Sequence, residues 1–192
     1  MSQRISEQEL TRDELIALRN KRTGMTVFQI SWIMVFVCLF IVNVSIRGNS
    51  LTWPPEGVER LSPVVPVIVS ILLLISGWTA YRSEAALIAG DHEAFFRQWR
   101  LTLGLGALFL VGMGIHWLGV SDGGQYGTIS RVMIGYHALH ALAIMAYMWQ
   151  VQGRVRAGVV TARDPWAVEA GVKLWYFVIV AWIIFFTALY VL

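Results

Sequence analysis

The stretch Gly127–Gly153, GTISRVMIGYHALHALAIMAYMWQVQG, decides the fold of this chain. Residues 132–153 within it carry no formal charge, a run of 22 positions. About 20 helical residues are enough to cross a ~30 Å hydrocarbon core, so we predict a transmembrane helix there. His137 and His140 lie three residues apart on this helix and therefore share one face. Because an imidazole inside lipid is costly without a partner, that face is expected to contact protein.

The composition of the whole chain points the same way. Hydrophobic residues make up 57% of the 192 residues and charged residues only 14%. A soluble domain of this size has too little interior to hold so much apolar surface, so we predict an all-α membrane protein. Four further uncharged runs accompany the first and predict a five-helix membrane domain over residues 23–192. The expected spans are 23–46, 61–81, 101–121, 132–153 and 174–192.

The distribution of basic residues predicts the topology. Twelve Lys and Arg residues lie in segment 1–22 and in the connections 82–100 and 154–173, against three in the other connections. The positive-inside rule then places the N-terminus in the cytoplasm and the C-terminus outside. These cations are scattered between apolar spans, so a nucleic-acid partner is not indicated.

Segment 1–22 precedes the first span and is charged. Ser6-Glu7-Gln8-Glu9 has the form of a capping box, which predicts a short helix at the cytoplasmic surface. A frayed tail is the alternative. No cleavable signal sequence is recognisable, so the first span is expected to act as an uncleaved anchor.

The spans offer few groups for chemistry. None of them contains Asp, Glu, Lys or Arg, which disfavours a small self-contained transporter. His116 and His137 are expected about 8 and 9 Å below the outer ends of their spans, at 1.5 Å per residue. Two histidines at one depth could be axial ligands of a haem in a stand-alone b-type membrane cytochrome. Hydrogen bonds between helices explain His137 and His140 equally well.

Five short motifs occur in a fixed order along the chain. They are Trp53-Pro54-Pro55, Gly90-Asp91, Ser121-Asp122-Gly123 with Tyr126-Gly127, Gly135-Tyr136-His137-Ala138-Leu139-His140, and Val168-Glu169-Ala170 followed by Trp175, Phe177, Val178 and Trp182. In this order, and together with five spans, they resemble subunit III of the haem–copper respiratory oxidases, the cytochrome c and quinol oxidases. The five-helix form is similar to bacterial members.

The chain also departs from the family pattern. Where the family usually has Trp-His-Phe-Val-Asp, the segment 175–179 reads WYFVI, so a histidine and an aspartate are missing. Gly114 stands where a glutamate is common, and no carboxylate occurs around Ser31 in the first span. The resemblance therefore does not extend to the proton-handling acids of the family.

The resemblance implies a non-catalytic subunit of a terminal oxidase in the bacterial cytoplasmic membrane. Such a subunit has no catalytic or metal-binding residue and no cofactor of its own; haem and copper belong to the partner subunits. It packs against catalytic subunit I and other subunits of the complex, and it holds phospholipid in a cleft between its first two helices and the rest. An accessory protein of a nitric oxide reductase, similar to subunit III, is the closest alternative.

The site residues that the resemblance implies are structural. They are Trp53, Pro54, Pro55, Tyr136, His137, His140, Glu169 and Trp175. We expect His137 and His140 to make hydrogen bonds between helices. Glu169 is expected to be a polar tie near the cytoplasmic face.

Overall fold

The computed structural model describes residues 11–192, which fold into five helices. These are α1 (Arg12–Gly48), α2 (Val64–Ile88), α3 (His92–Leu118), α4 (Gly124–Arg156) and α5 (Trp166–Phe186), the last extended by a π-helical turn, Thr187–Val191. All five are long and apolar enough to cross a membrane. The predicted all-helical, five-span architecture is confirmed.

Helix α1 is continuous through residue 23, where the first span was predicted to begin. It starts with a capping box: the Glu14 amide donates to the Thr11 hydroxyl, and the Glu14 carboxylate accepts from the Thr11 backbone N–H at 2.9 Å. These bonds lower the pKa of Glu14, the backbone bond contributing most and the bond from the Thr11 hydroxyl next. The predicted capping box at Ser6–Glu9 lies outside the described residues.

The helices extend further than the predicted spans on one side of the bundle, and α4 also begins earlier on the other side, at Gly124. The predicted polar connection 82–100 shrinks to Ala89–Asp91, and α5 begins eight residues before the predicted 174. Glu, Gln, Arg and Lys are good helix formers, so a span continues as helix beyond the hydrocarbon. The tight α2–α3 turn has Gly90 at φ 79°, and Asp91 caps α3 by accepting from the Ala94 amide at 2.9 Å.

Helix α5 is the most buried helix and packs against both α2 and α4, while α2 and α3 form a closely packed hairpin. The hydroxyls of Thr79 and Thr102 share a 2.7 Å hydrogen bond inside that hairpin. Helix α1 lies at the edge of the bundle, where only Phe36 and Asn43 of its described residues are buried.

The glycines of α3 divide into two kinds. A Cβ at Gly106 would collide with Trp175, and a Cβ at Gly112 would collide with Val69, so these two glycines permit close helix approach. A Cβ at Gly104 or Gly114 would meet nothing within 4 Å. These two glycines therefore do not serve helix packing within this chain.

An aromatic and histidine core as the candidate functional site

His137 and His140 lie in the centre of the bundle, 0% and 1% exposed. Aromatic rings surround both. The His137 ring stacks on Trp182 at a centroid distance of 5.2 Å and meets Phe109 edge-on at 5.7 Å. The face that carries the two histidines thus contacts protein, as the cost of burying an imidazole required.

Within the described residues, His137 does not make the hydrogen bond expected of it. Among residues 11–192, neither ring nitrogen of His137 has a hydrogen-bond partner. The Nδ1 of His140 also lacks one. The reason is that α1, α3 and α5 present hydrocarbon rings to this face of α4. The two imidazoles therefore hold the helices by ring packing. Among the described residues, the interhelical hydrogen bond predicted for His137 is not formed, and that of His140 stays a prediction.

Phe36 attaches α1 to this core. Its ring lies 5.1 Å from both Tyr136 and His140, and 5.4 Å from Phe177 of α5. One turn earlier, Trp32 lies 4.4 Å from the His140 ring. Near Ser31, where the resemblance would place a carboxylate, this chain therefore supplies a further aromatic contact.

Buried tryptophan N–H groups join the helices by hydrogen bonds. Trp175 donates to the Ser76 hydroxyl of α2 at 2.9 Å, and Trp182 donates to the Ser70 hydroxyl at 2.7 Å. Trp99 of α3 donates to the Met148 carbonyl of α4 at 3.0 Å. Each bond satisfies a polar group inside an apolar bundle, where an unpaired donor would be costly.

Trp99 and Trp175 lie near the ends of predicted spans, yet both are 0% exposed and therefore do not serve as interfacial anchors. Trp149, with 67% of its surface exposed, does fit an interfacial anchor. A serine within an apolar span, such as Ser76, can indicate a buried hydrogen-bond partner for a tryptophan. Which tryptophan it pairs with depends on helix packing and is not readable from the sequence.

The loop motifs meet at one end of the bundle. Trp53 lies edge-on to Tyr126 at 5.1 Å, and the Tyr126 hydroxyl accepts from the Leu61 amide at 3.0 Å. Pro54 and Pro55 are half-buried beside them. The α1–α2 loop and the α3–α4 turn therefore form one contact.

Two further residues singled out in the sequence, His116 and Glu169, lie near helix ends. His116 shares a 2.8 Å hydrogen bond with the Tyr190 hydroxyl, which ties α3 to the end of the chain. Glu169 is half-buried in the first turn of α5, where a carboxylate interacts favourably with the helix dipole. In the described range, no three His, Cys, Asp or Glu side chains are grouped closely enough to hold a metal ion.

Comparison with known proteins identifies the family of this chain. Residues 5–192 match the family described as cytochrome c oxidase subunit III. This chain belongs to that family. The similarity to individual members is equally broad: cytochrome c oxidase subunit 3 of Thermostichus vulcanus is 32% identical over 88% of this chain and 86% of its own length. The protein of the same name from Corynebacterium diphtheriae is 28% identical over 99% of this chain and 98% of its own length.

Membership of the subunit III family makes the chain a non-catalytic component of an oxidoreductase complex. The arrangement of the histidines agrees with this role. His116 already shares a hydrogen bond with Tyr190, and His137 is enclosed by rings from three other helices. The stand-alone cytochrome and the nitric oxide reductase accessory protein are therefore not favoured.

Proposed function

We propose that this subunit III stabilises the catalytic subunit I of a bacterial terminal oxidase in the cytoplasmic membrane and holds phospholipid beside it. One observation carries the proposal: the core between the spans is closed by aromatic rings and tryptophan hydrogen bonds. A bundle packed in this way supplies a rigid surface, and its spans within residues 11–192 contain no charged residue. Electron transfer and oxygen chemistry then belong to the neighbouring subunits, which hold the haem and the copper.

The orientation follows from charge and is part of the proposal. Arg97 and Arg100 of α3 lie at the same end of the bundle as Arg154 and Arg156 of α4 and the start of α1. Cytoplasmic segments carry such an excess of cations. The N-terminus is accordingly cytoplasmic and the C-terminus lies outside.

The phospholipid is assigned to the cleft between α1 and the α4–α5 pair. The cleft contains an apolar cavity of about 360 Å³, whose lining includes Met25 and Phe28 of α1 and Tyr147 of α4. A polar cavity of about 230 Å³ adjoins it, and its lining includes Lys21 and Arg154. An acyl chain fits the first environment and a phosphate group fits the second. In this five-helix chain α1 alone forms one wall, whereas the resemblance implied two helices.

The family-motif residues are proposed to act as structural groups within this assembly. Trp53, Pro54 and Pro55 fix the outer loop against Tyr126, while Tyr136, His137 and His140 fasten α1 through Phe36. Trp175 joins α5 to α2, and Glu169 stabilises the start of α5. None of them is proposed to contact a redox cofactor.

The experiment is purification of the tagged full chain in mild detergent, identification of its companions by mass, and a reduced-minus-oxidised spectrum. Copurification of a haem–copper catalytic subunit, with haem bands that disappear when the chain is isolated from it, is the expected result. Phe36→Ala is expected to reduce recovery of the complex because it releases α1. Met34→Ala is the matched control, because Met34 lies on the same helix, is 55% exposed and lines neither cavity.

A colourless, stable chain without companions would contradict the proposal. So would copurification with the catalytic subunit of a nitric oxide reductase in place of an oxidase. Haem bands retained by the isolated chain, and lost in His116→Leu or His137→Leu, would instead support a b-type cytochrome.

A further inference from the structure

An open groove runs along α3, and all of its lining residues belong to that helix. It has a volume of about 1050 Å³, and its lining consists of Glu93, Phe96, Arg97, Arg100, Leu101, Gly104, Leu105 and Leu108. These positions recur every three or four residues and therefore share one face of the helix. The groove is separate from the α1 cleft proposed above to hold phospholipid.

The groove is polar and basic at one end. Arg97 and Arg100 are both exposed there, and the Arg100 guanidinium lies 5.8 Å from the centre of the Phe96 ring. Arg156 of α4 approaches the same ring at 5.9 Å. Two guanidinium groups are thereby held beside one aromatic side chain, with Glu93 as the acidic residue of the lining. Three cations and one anion leave this end positively charged.

The other end is apolar and open. Leu101 and Leu108 are exposed by 49% and 56%, and Gly104 between them has no side chain. A Cβ at Gly104 would meet nothing within 4 Å, so the floor of the groove is vacant where the glycine lies. From Arg97 to Leu108 the helix rises about 16 Å, at 1.5 Å per residue. One leaflet of a ~30 Å hydrocarbon core has about this depth.

We infer that this groove binds one anionic phospholipid, with its phosphate on Arg97 and Arg100 and an acyl chain over Gly104. Guanidinium groups bind phosphate oxygens through paired, charge-assisted hydrogen bonds. Each cation near the surface also favours binding of an anionic headgroup by about fivefold. The site discriminates by net headgroup charge, because Arg156 adds a third cation beside the phosphate.

The test is native mass spectrometry of the full chain after reconstitution in nanodiscs that contain either phosphatidylglycerol or phosphatidylcholine. The wild type should retain phosphatidylglycerol preferentially. Arg97→Ala/Arg100→Ala should weaken this retention by at least about tenfold, as the loss of hydrogen bonds to a charged group implies. Arg12→Ala/Arg19→Ala removes the same charge from exposed positions of α1 and should leave retention unchanged.

A second variant tests the apolar half without altering charge. Gly104→Leu places a side chain in the vacant floor and should abolish retention, while the fold tolerates it because no atom lies in its way. Gly114→Leu, at an equally open position of the same helix outside the groove, is its control. Equal retention of both lipids, or retention that neither Gly104→Leu nor the double arginine variant changes, would overturn the inference.

A protein segment found over Gly104 in the assembled complex would also overturn it. This outcome is separate from failure of the proposed function. Lipid retention is measured on the subunit III chain itself, whereas the proposed function fails when no oxidase catalytic subunit copurifies with it.

Discussion

Gly106→Ala should destabilise the bundle even though alanine is the better helix former. The new Cβ would lie 2.8 Å from Cη2 of Trp175 and 3.0 Å from Sδ of Met145, well inside the 3.5–4.0 Å at which carbon atoms attract. The indole cannot swing aside freely because its N–H donates to Ser76 at 2.9 Å. The substitution therefore forces either this hydrogen bond or the α3–α5 spacing to change.

Two opposing terms set the magnitude. Replacing glycine with alanine inside a helix gains roughly 0.5–1 kcal/mol, while overpacking a core costs roughly 1–3 kcal/mol. The difference is a net loss of about 1 kcal/mol, and at most about 2.5 kcal/mol, in the free energy of unfolding. At Gly104 and Gly114 the second term is missing, since a Cβ there meets nothing within 4 Å. Alanine at either position should stabilise the protein.

The assay is equilibrium unfolding of the purified chain in detergent, with all three alanine variants compared under one condition. The cost of Gly106→Ala, measured relative to a Trp175→Phe background, should be smaller than its cost in the wild type, because the phenyl ring lacks the atom that collides. If alanine stabilises position 106 as much as position 104, the close packing of α3 on Trp175 is refuted.

Three further substitutions test the polar contacts of the interior. Trp175→Phe should lower the free energy of unfolding by about 1 kcal/mol or more through loss of its bond to Ser76, and a double-mutant cycle with Ser76→Ala isolates that term. His137→Leu should be neutral or stabilising in the isolated chain, because removing an unpaired buried polar group gains about 1–3 kcal/mol and the lost ring stacking costs about 0.5–1.5. His116→Leu should instead destabilise by about 1 kcal/mol, since the Tyr190 hydroxyl loses its partner.

The controls for these substitutions come from the same chain. Trp149→Phe changes an exposed tryptophan and should leave the unfolding curve unaltered. A strongly destabilising His137→Leu would mean that the imidazole has a polar partner after all, and an unchanged His116→Leu would mean that the bond to Tyr190 contributes nothing.

Local sequence determined the helical architecture of this protein. Uncharged runs such as 132–153 are long enough to cross a membrane, and in lipid every backbone polar group must be satisfied within the segment, which leaves the helix as the solution for a single span. The ordered motifs, from Trp53-Pro54-Pro55 to Trp175, were sufficient to indicate the family. Helix ends were underestimated because a drop in hydrophobicity marks the membrane boundary and not the end of a helix.

Tertiary structure alone decided how the interior is joined. The three-residue spacing of His137 and His140 places them on one face, but whether they meet hydrogen-bond donors or rings depends on residues up to about a hundred positions away, such as Phe36. Gly104 and Gly106 are indistinguishable in sequence, yet one opens onto a groove and the other receives Trp175. Such differences arise from the rotation of each helix about its axis, which is fixed by its neighbours and not by its own residues.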